Sequence, residues 1–150
     1  MEKMRIMLVD DEERYLKTTK KLIEKKGFEV LTAQSGKEAL EKLKPQNIHV
    51  VILDVKMPEM DGNQTLKAIK TLYPLVEVIM LTGHASLDSA INGLKSGAND
   101  YLMKPADIDE IMEKAEKAFE KRQRLEDKIR IAQTKKYMRS PREILKDDDE

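Results

Sequence analysis

Two hydrophobic rhythms alternate along the chain. Short, mostly apolar runs at residues 4–9, 28–33, 50–53, 76–81 and 100–103 are separated by longer stretches whose apolar side chains recur every three or four positions. A short aliphatic run bounded by polar residues predicts a strand covered on both faces, and the longer spacing predicts an amphipathic helix. The first helix spans about residues 12–26, with Leu16, Thr19, Leu22 and Ile23 near one face and Gly27 as a left-handed terminator. Ser35 and Glu38 form a capping box for a second helix, which carries Ala39, Leu40 and Leu43 and stops before Pro45. A third helix is expected over 63–72, closed by Tyr73-Pro74, and a fourth over 86–95, before Gly97. Asp107 and Glu110 read as the capping box of a last helix. Between the third strand and third helix, Met57-Pro58-Glu59-Met60-Asp61-Gly62 has the composition of a shaped loop. Five strand–helix alternations without a shared repeat motif predict βαβ units with right-handed crossovers, a parallel sheet, and helices on both faces.

The run Val50-Val51-Ile52-Leu53 ends in Asp54, and three of the other four strands also end in chemistry. The first ends in Asp10-Asp11, the fourth in Thr82 and the fifth in Lys104. In a parallel sheet these ends share one edge, the edge where ligands collect in open α/β sheets. Taken singly each residue has an ordinary use: Asp10-Asp11 as a helix cap, Asp54 as a turn residue, Thr82 as a strand-end hydroxyl, Lys104 as a solvated charge. Their convergence is the argument. Three carboxylates in one cleft repel unless a cation or a raised pKa relieves them. Oxygen-only ligands suit Mg²⁺. A lysine ammonium and a threonine hydroxyl opposite the metal can hold the oxygens of a phosphoryl group on Asp54, since phosphoryl transfer needs mainly positioning and charge neutralisation.

Composition narrows the classes. The 150 residues are 40% hydrophobic and 37% charged, with 28 basic residues against 28 acidic, so no global field argues for nucleic acid or membrane. Direct nucleic-acid binding is not expected. The chain lacks cysteine and tryptophan, which removes disulfide and thiolate chemistry and leaves few stacking platforms. No apolar run approaches the ~20 residues of a membrane span, and the N-terminus moves straight into a strand without a signal peptide. A cytoplasmic protein is expected.

The acidic pair Asp10-Asp11, Leu53-Asp54, the Met57–Gly62 loop, Thr82-Gly83 and Tyr101-Leu102-Met103-Lys104-Pro105 together resemble a response-regulator receiver domain of two-component signalling, in the CheY-like superfamily, over about residues 3–122. The resemblance implies a flavodoxin-like (βα)5 three-layer sandwich whose five-stranded parallel sheet has the order 2-1-3-4-5. It implies that a histidine kinase or phosphotransfer protein passes a phosphoryl group to Asp54. Mg²⁺ would be held by Asp10 or Asp11, by Asp54 and by the backbone carbonyl of Lys56, with Asp11 the closer acidic ligand. Thr82 and Tyr101 would form the switch pair that alters the surface of the fourth helix, fifth strand and fifth helix. The Lys104–Pro105 bond would be cis. Lys56 and His84 flank the phosphoryl position in similar domains and are assigned to tuning its lifetime, although both could equally face solvent. His49 reads as a loop-edge residue.

Residues 123–150 form a charged extension, expected to be helical to about 138. Ile111, Ala115, Ala118, Arg122, Leu125, Ile129 and Ala132 are spaced three and four apart, a heptad seam with one charged intruder. Only Leu125, Ile129 and Ala132 lie beyond the part that would pack on the sheet, and a homodimer partner or an output protein would explain them. Residues 121–142 hold nine Lys/Arg and two acidic residues, and the chain then closes in Lys146-Asp147-Asp148-Asp149-Glu150; the role of the tail is open. The leading expectation is a stand-alone phosphoacceptor with an unknown downstream protein target and no output enzyme of its own. The alternative is a receiver cut from a larger transcriptional regulator with a dimerising linker helix. An aspartate-nucleophile phosphatase is disfavoured, because Lys56 stands where that class carries a second Asp. A flavin protein is disfavoured because Asp10-Asp11 would repel the phosphate.

Overall fold

The computed structural model describes residues 3–44, 46–55, 57, 60–83 and 87–137, leaving aside the side chains of Thr82, 87–90 and Tyr137. Five strands, β1 (Arg5–Val9), β2 (Glu29–Ala33), β3 (Val50–Asp54), β4 (Glu77–Thr82) and β5 (Asp100–Met103), alternate with α1 (Glu13–Lys25), α2 (Gly36–Leu43), α3 (Gly62–Leu72), α4 (Leu87–Lys95) and α5 (Ile108–Tyr137). All strand pairs are parallel, in the order β2-β1-β3-β4-β5. The parallel sheet with alternating helices is what the pattern predicts, the flavodoxin-like order is the one the resemblance implied, and the boundaries fall within a residue or so of those expected.

The two-residue period of the pleat divides the core. Ile6, Leu8, Val50, Ile52, Ile79 and Leu81 face α1 and α5, where they meet Leu16, Ile23, Ile111 and Ala115. Met7, Val9, Val51, Leu53, Val78 and Met80 face the other layer and meet Ala39, Leu43, Leu66 and Ile69. Every residue of β3 is buried, as a central strand covered by helices on both sides requires. Register pairs Val9 with Leu53, Asp54 with Leu81 and Thr82 with Met103, so the strand ends stand level along one edge.

The helix ends are set locally, with two departures from expectation. Gly27 closes α1 at φ 94°. Ser35 Oγ accepts the Glu38 N–H, but Glu38 reaches back to the Gln34 N–H rather than to that of Ser35, so the box is shifted by one residue. No side-chain hydrogen bond of Asp107 or Glu110 closes the second box among the described residues; the first turn of α5 begins with the Ile111 N–H donating to the Asp107 carbonyl. A full capping box does form where a loop was expected, between Asp61 and Gln64 at the start of α3. Asp61 is thus the cap of α3, and Gly62 is already its first residue.

His49 stands at the loop edge just before β3, as expected, but it is enclosed rather than exposed. It is 1% exposed, its Nδ1 accepts the Arg5 N–H at 2.9 Å, and its ring meets Phe119 edge-on at 4.9 Å. Arg122, the intruder in the heptad seam, is likewise buried. Its Nη1 donates to the Ile48 carbonyl at 2.8 Å and its Nε to Glu126 at 2.8 Å. Beyond Arg122 the apolar seam opens outward, with Leu125 and Ile129 exposed.

Candidate functional site

Pleat parity decides where the strand-end residues point. Asp10 follows Leu8 by two, Asp54 follows Ile52 by two and Lys104 follows Leu102 by two, so all three continue the rows that face α1 and α5. They meet at the carboxyl edge. Asp10, Asp11 and Asp54 each offer a carboxylate oxygen within 4.8 Å of the others. Asp10 and Asp54 are buried at 2% and 7% exposure, and Asp11 is open to solvent. The donor set is oxygen only, three carboxylates with no histidine or thiolate in the cluster, which fits a hard divalent cation rather than zinc.

Asp10 is the most constrained of the three. One oxygen accepts the Glu12 N–H at 2.9 Å, which turns the chain toward α1. The other lies 2.5 Å from Lys104 Nζ. Burial disfavours the Lys104 ammonium, but the Asp10 hydrogen bond and charge, joined by Asp54 and Tyr15, outweigh it and hold the lysine above its ordinary pKa. The next peptide, Lys104–Pro105, is cis.

Tyr101 has the opposite parity and packs with the α2–α3 layer. Its hydroxyl is buried and has no hydrogen-bond partner among the described residues. Burial first, then the charge of Asp54, raise its pKa. Thr82 ends β4 beside Met103, but its side chain lies outside the described residues, as do Lys56 and His84.

Two contributors have roles that the residue pattern does not reveal. Tyr15, in the first turn of α1, places its ring 4.2 Å from Lys104 Nζ. With Asp10 and Asp54 it lines a narrow cavity of about 10 Å³ over Leu8, Ile52 and Leu81. Gly62 lets α3 start against the Asp54–Val55 turn: its N–H donates to the Val55 carbonyl at 2.8 Å. A Cβ there would collide with the Asp54 carbonyl oxygen and lie 2.6 Å from Val55 Cα. Asp-Gly signals a turn, but this close approach depends on the tertiary fold. A larger groove of about 390 Å³, lined by Lys44, Tyr73 and Arg122 among others, opens around the α2–β3 and α3–β4 connections, on the edge away from these carboxylates.

The model of the response regulator receiver domain matches residues 6–116. The transcriptional regulatory protein ZraR of Escherichia coli K12 is 41% identical over 114 residues, which is 76% of this chain and 26% of ZraR. The chain thus spans about a quarter of the length of the curated relatives it matches. A crystal structure of a receiver domain protein from Clostridium thermocellum superposes with TM-score 0.77 at 40% identity, covering 81% of this chain and 98% of that one. The solution structure of the beryllofluoride-activated NtrC4 receiver domain dimer gives TM-score 0.74 at 36% identity, covering 79% and 98%. No helix among the described residues is long and apolar enough to cross a membrane. Fold, acidic cluster and sequence similarity agree: the chain belongs to the response-regulator receiver domain family of two-component signalling.

Proposed function

We propose that the chain is a phosphoacceptor switch, in which Asp54 takes a phosphoryl group from a histidine kinase or phosphotransfer protein. The observation that carries this reading is the convergence of Asp10, Asp11 and Asp54 within 4.8 Å beside a half-buried lysine that contacts Asp10. An Asp54 oxygen attacks the phosphorus as the bond to the donor's leaving group breaks, forming an acyl phosphate. Asp10, Asp11 and Asp54 would hold Mg²⁺ with the backbone carbonyl of Lys56, and the ion when bound would neutralise charge on the transferring group. Lys104 and the hydroxyl of Thr82 would take the remaining phosphoryl oxygens. Phosphorylation adds about −1.5 to −2 charges and three acceptors at one point. Thr82 would turn toward them, Tyr101 would follow, and the face formed by α4, β5 and α5 would change for a downstream protein. Lys56 and His84 are proposed to set the lifetime of the acyl phosphate. On this reading the chain is a signalling acceptor rather than an enzyme, and it works in the cytoplasm.

A second reading is favoured by one feature of α5. The helix runs fifteen residues past Arg122 to Tyr137, with Leu125 and Ile129 uncovered. A receiver that belongs to a larger transcriptional regulator, dimerising through this helix, would cover them. ZraR is named as a transcriptional regulator, and the activated NtrC4 receiver is a dimer.

The test is incubation with Mg²⁺ and a small phosphoryl donor, mapping of the adduct, and a mass measurement in solution. An adduct on Asp54 that vanishes in Asp54→Asn supports the acceptor reading; an equal adduct in that variant removes it. A shift from monomer to dimer on phosphorylation favours the second reading.

A further inference from the structure

We propose that Tyr15 is a positioning residue for Lys104: its ring keeps the ammonium beside the acidic cluster, docked on Asp10 at rest and one pivot from a phosphoryl group on Asp54. The inference rests on Asp54 being the acceptor. Lys104 Nζ lies 4.2 Å from the Tyr15 ring centroid and 2.5 Å from Asp10 Oδ2. Because the Asp10 and Asp54 carboxylates approach within 4.8 Å, the ammonium can pass from one to the other while staying over the ring. The ring is held by packing: it lies partly buried against the core shared by α1 and α5, which includes Leu16, Ile111 and Ala115.

Lys104 needs such a wall. Its side chain retains 19% exposure on a flexible four-carbon stem with a strongly hydrated head, so without the ring it can leave the cleft for water. A ring face offers the ammonium attraction without neutralising it. A carboxylate in that place would compete with the phosphoryl group for the lysine; the ring does not.

Two measurements on the full chain decide. In the resting protein, the ε-methylene signals of Lys104, assigned by their loss in Lys104→Met, should show an upfield ring-current shift. Tyr15→Phe should keep the shift and Tyr15→Leu should abolish it. With acetyl phosphate at saturating Mg²⁺, Tyr15→Leu should slow phosphoryl uptake about three- to tenfold, the span of a partly desolvated cation–π contact, and Tyr15→Phe should restore it. In a Lys104→Met background, Tyr15→Leu should cause no further slowing. Equal slowing in that background, or an unshifted Lys104 in the wild type, overturns the proposal. A wild type that takes no phosphoryl group overturns the acceptor reading instead, and the Lys104 shift then still decides whether Tyr15 holds the lysine.

Discussion

At the scale of single residues, the site depends on contacts too close for alternatives. Gly62→Ala would drive a methyl group into the Asp54–Val55 backbone, which cannot yield as a side chain does. Destabilisation of about 1–3 kcal/mol is expected, read as a lowered denaturant midpoint. Gly93→Ala is the control: its Cβ would meet Met80 and Tyr101 at an ordinary 3.7 Å, and up to about 1 kcal/mol of helix propensity is gained. Lys104 matters through its partner. Lys104→Met leaves the Asp10 carboxylate buried at 2% exposure without its cation, a loss of about 1–3 kcal/mol. If the cluster binds Mg²⁺, adding the ion should raise the midpoint of this variant more than that of the wild type, because the ion then meets no competing ammonium at Asp10. Equal shifts would argue against Asp10 as a ligand.

At the scale of elements, α5 has two halves with different physics. Up to Arg122 it is held by the sheet: Ile111, Ala115 and Ala118 are buried, and Arg122 ties the helix to the Ile48 carbonyl. A heptad reading alone would make Arg122→Leu an improvement. The structure predicts the reverse, since the Ile48 carbonyl and Glu126 would both lose their donor, and about 2–3 kcal/mol of stability should go, seen in thermal or denaturant unfolding. Past Arg122, among the described residues, the helix is supported by its own turns and by pairs such as Arg130–Asp127, which are exposed and contribute little. A lone helical stretch of this length is marginal in water. Amide exchange should therefore be fast beyond residue 122 in dilute protein, and slow there only where concentration or phosphorylation brings a second copy onto Leu125 and Ile129.

For the whole molecule, stability should show an acid limb and an alkaline limb. The Glu38 carboxyl is held below its usual range by the Gln34 N–H and by Lys42. Burial pushes the Asp100 carboxyl upward, but Lys114 and the Tyr101 N–H prevail and hold it low. A carboxylate with a depressed folded pKa contributes stability above its unfolded pKa and loses it as pH falls through the folded value. Lys104 is the opposite case: raised by Asp10 against its own burial, it contributes below the unfolded lysine pKa and loses this as pH rises through the folded one. Melting temperatures should be level around neutrality, fall below about pH 4.5 and fall again in strong alkali. Lys104→Met should flatten the alkaline limb.

The sequence by itself determined the order of elements, the parallel sheet and the edge on which Asp10, Asp54, Thr82 and Lys104 lie. The reason is that a strand buried on both faces must be aliphatic almost throughout, so Val50–Asp54 declares itself without help from distant residues. Helix ends were legible where local chemistry sets them, as at Gly27 and Ser35, and less so at Asp61, whose cap was hidden in a turn-like composition. Only the tertiary structure decided which residues the site recruits from afar. Tyr15 and Lys104 are 89 positions apart (104 − 15) and meet only because α1 and the end of β5 share one side of the sheet. Arg122 looks like a break in a seam until the Ile48 carbonyl is placed beside it, and His49 looks like a loop residue until Arg5 and Phe119 enclose it. Local patterning reports burial and backbone preference, while the identity of a buried polar group's partner depends on where the chain returns.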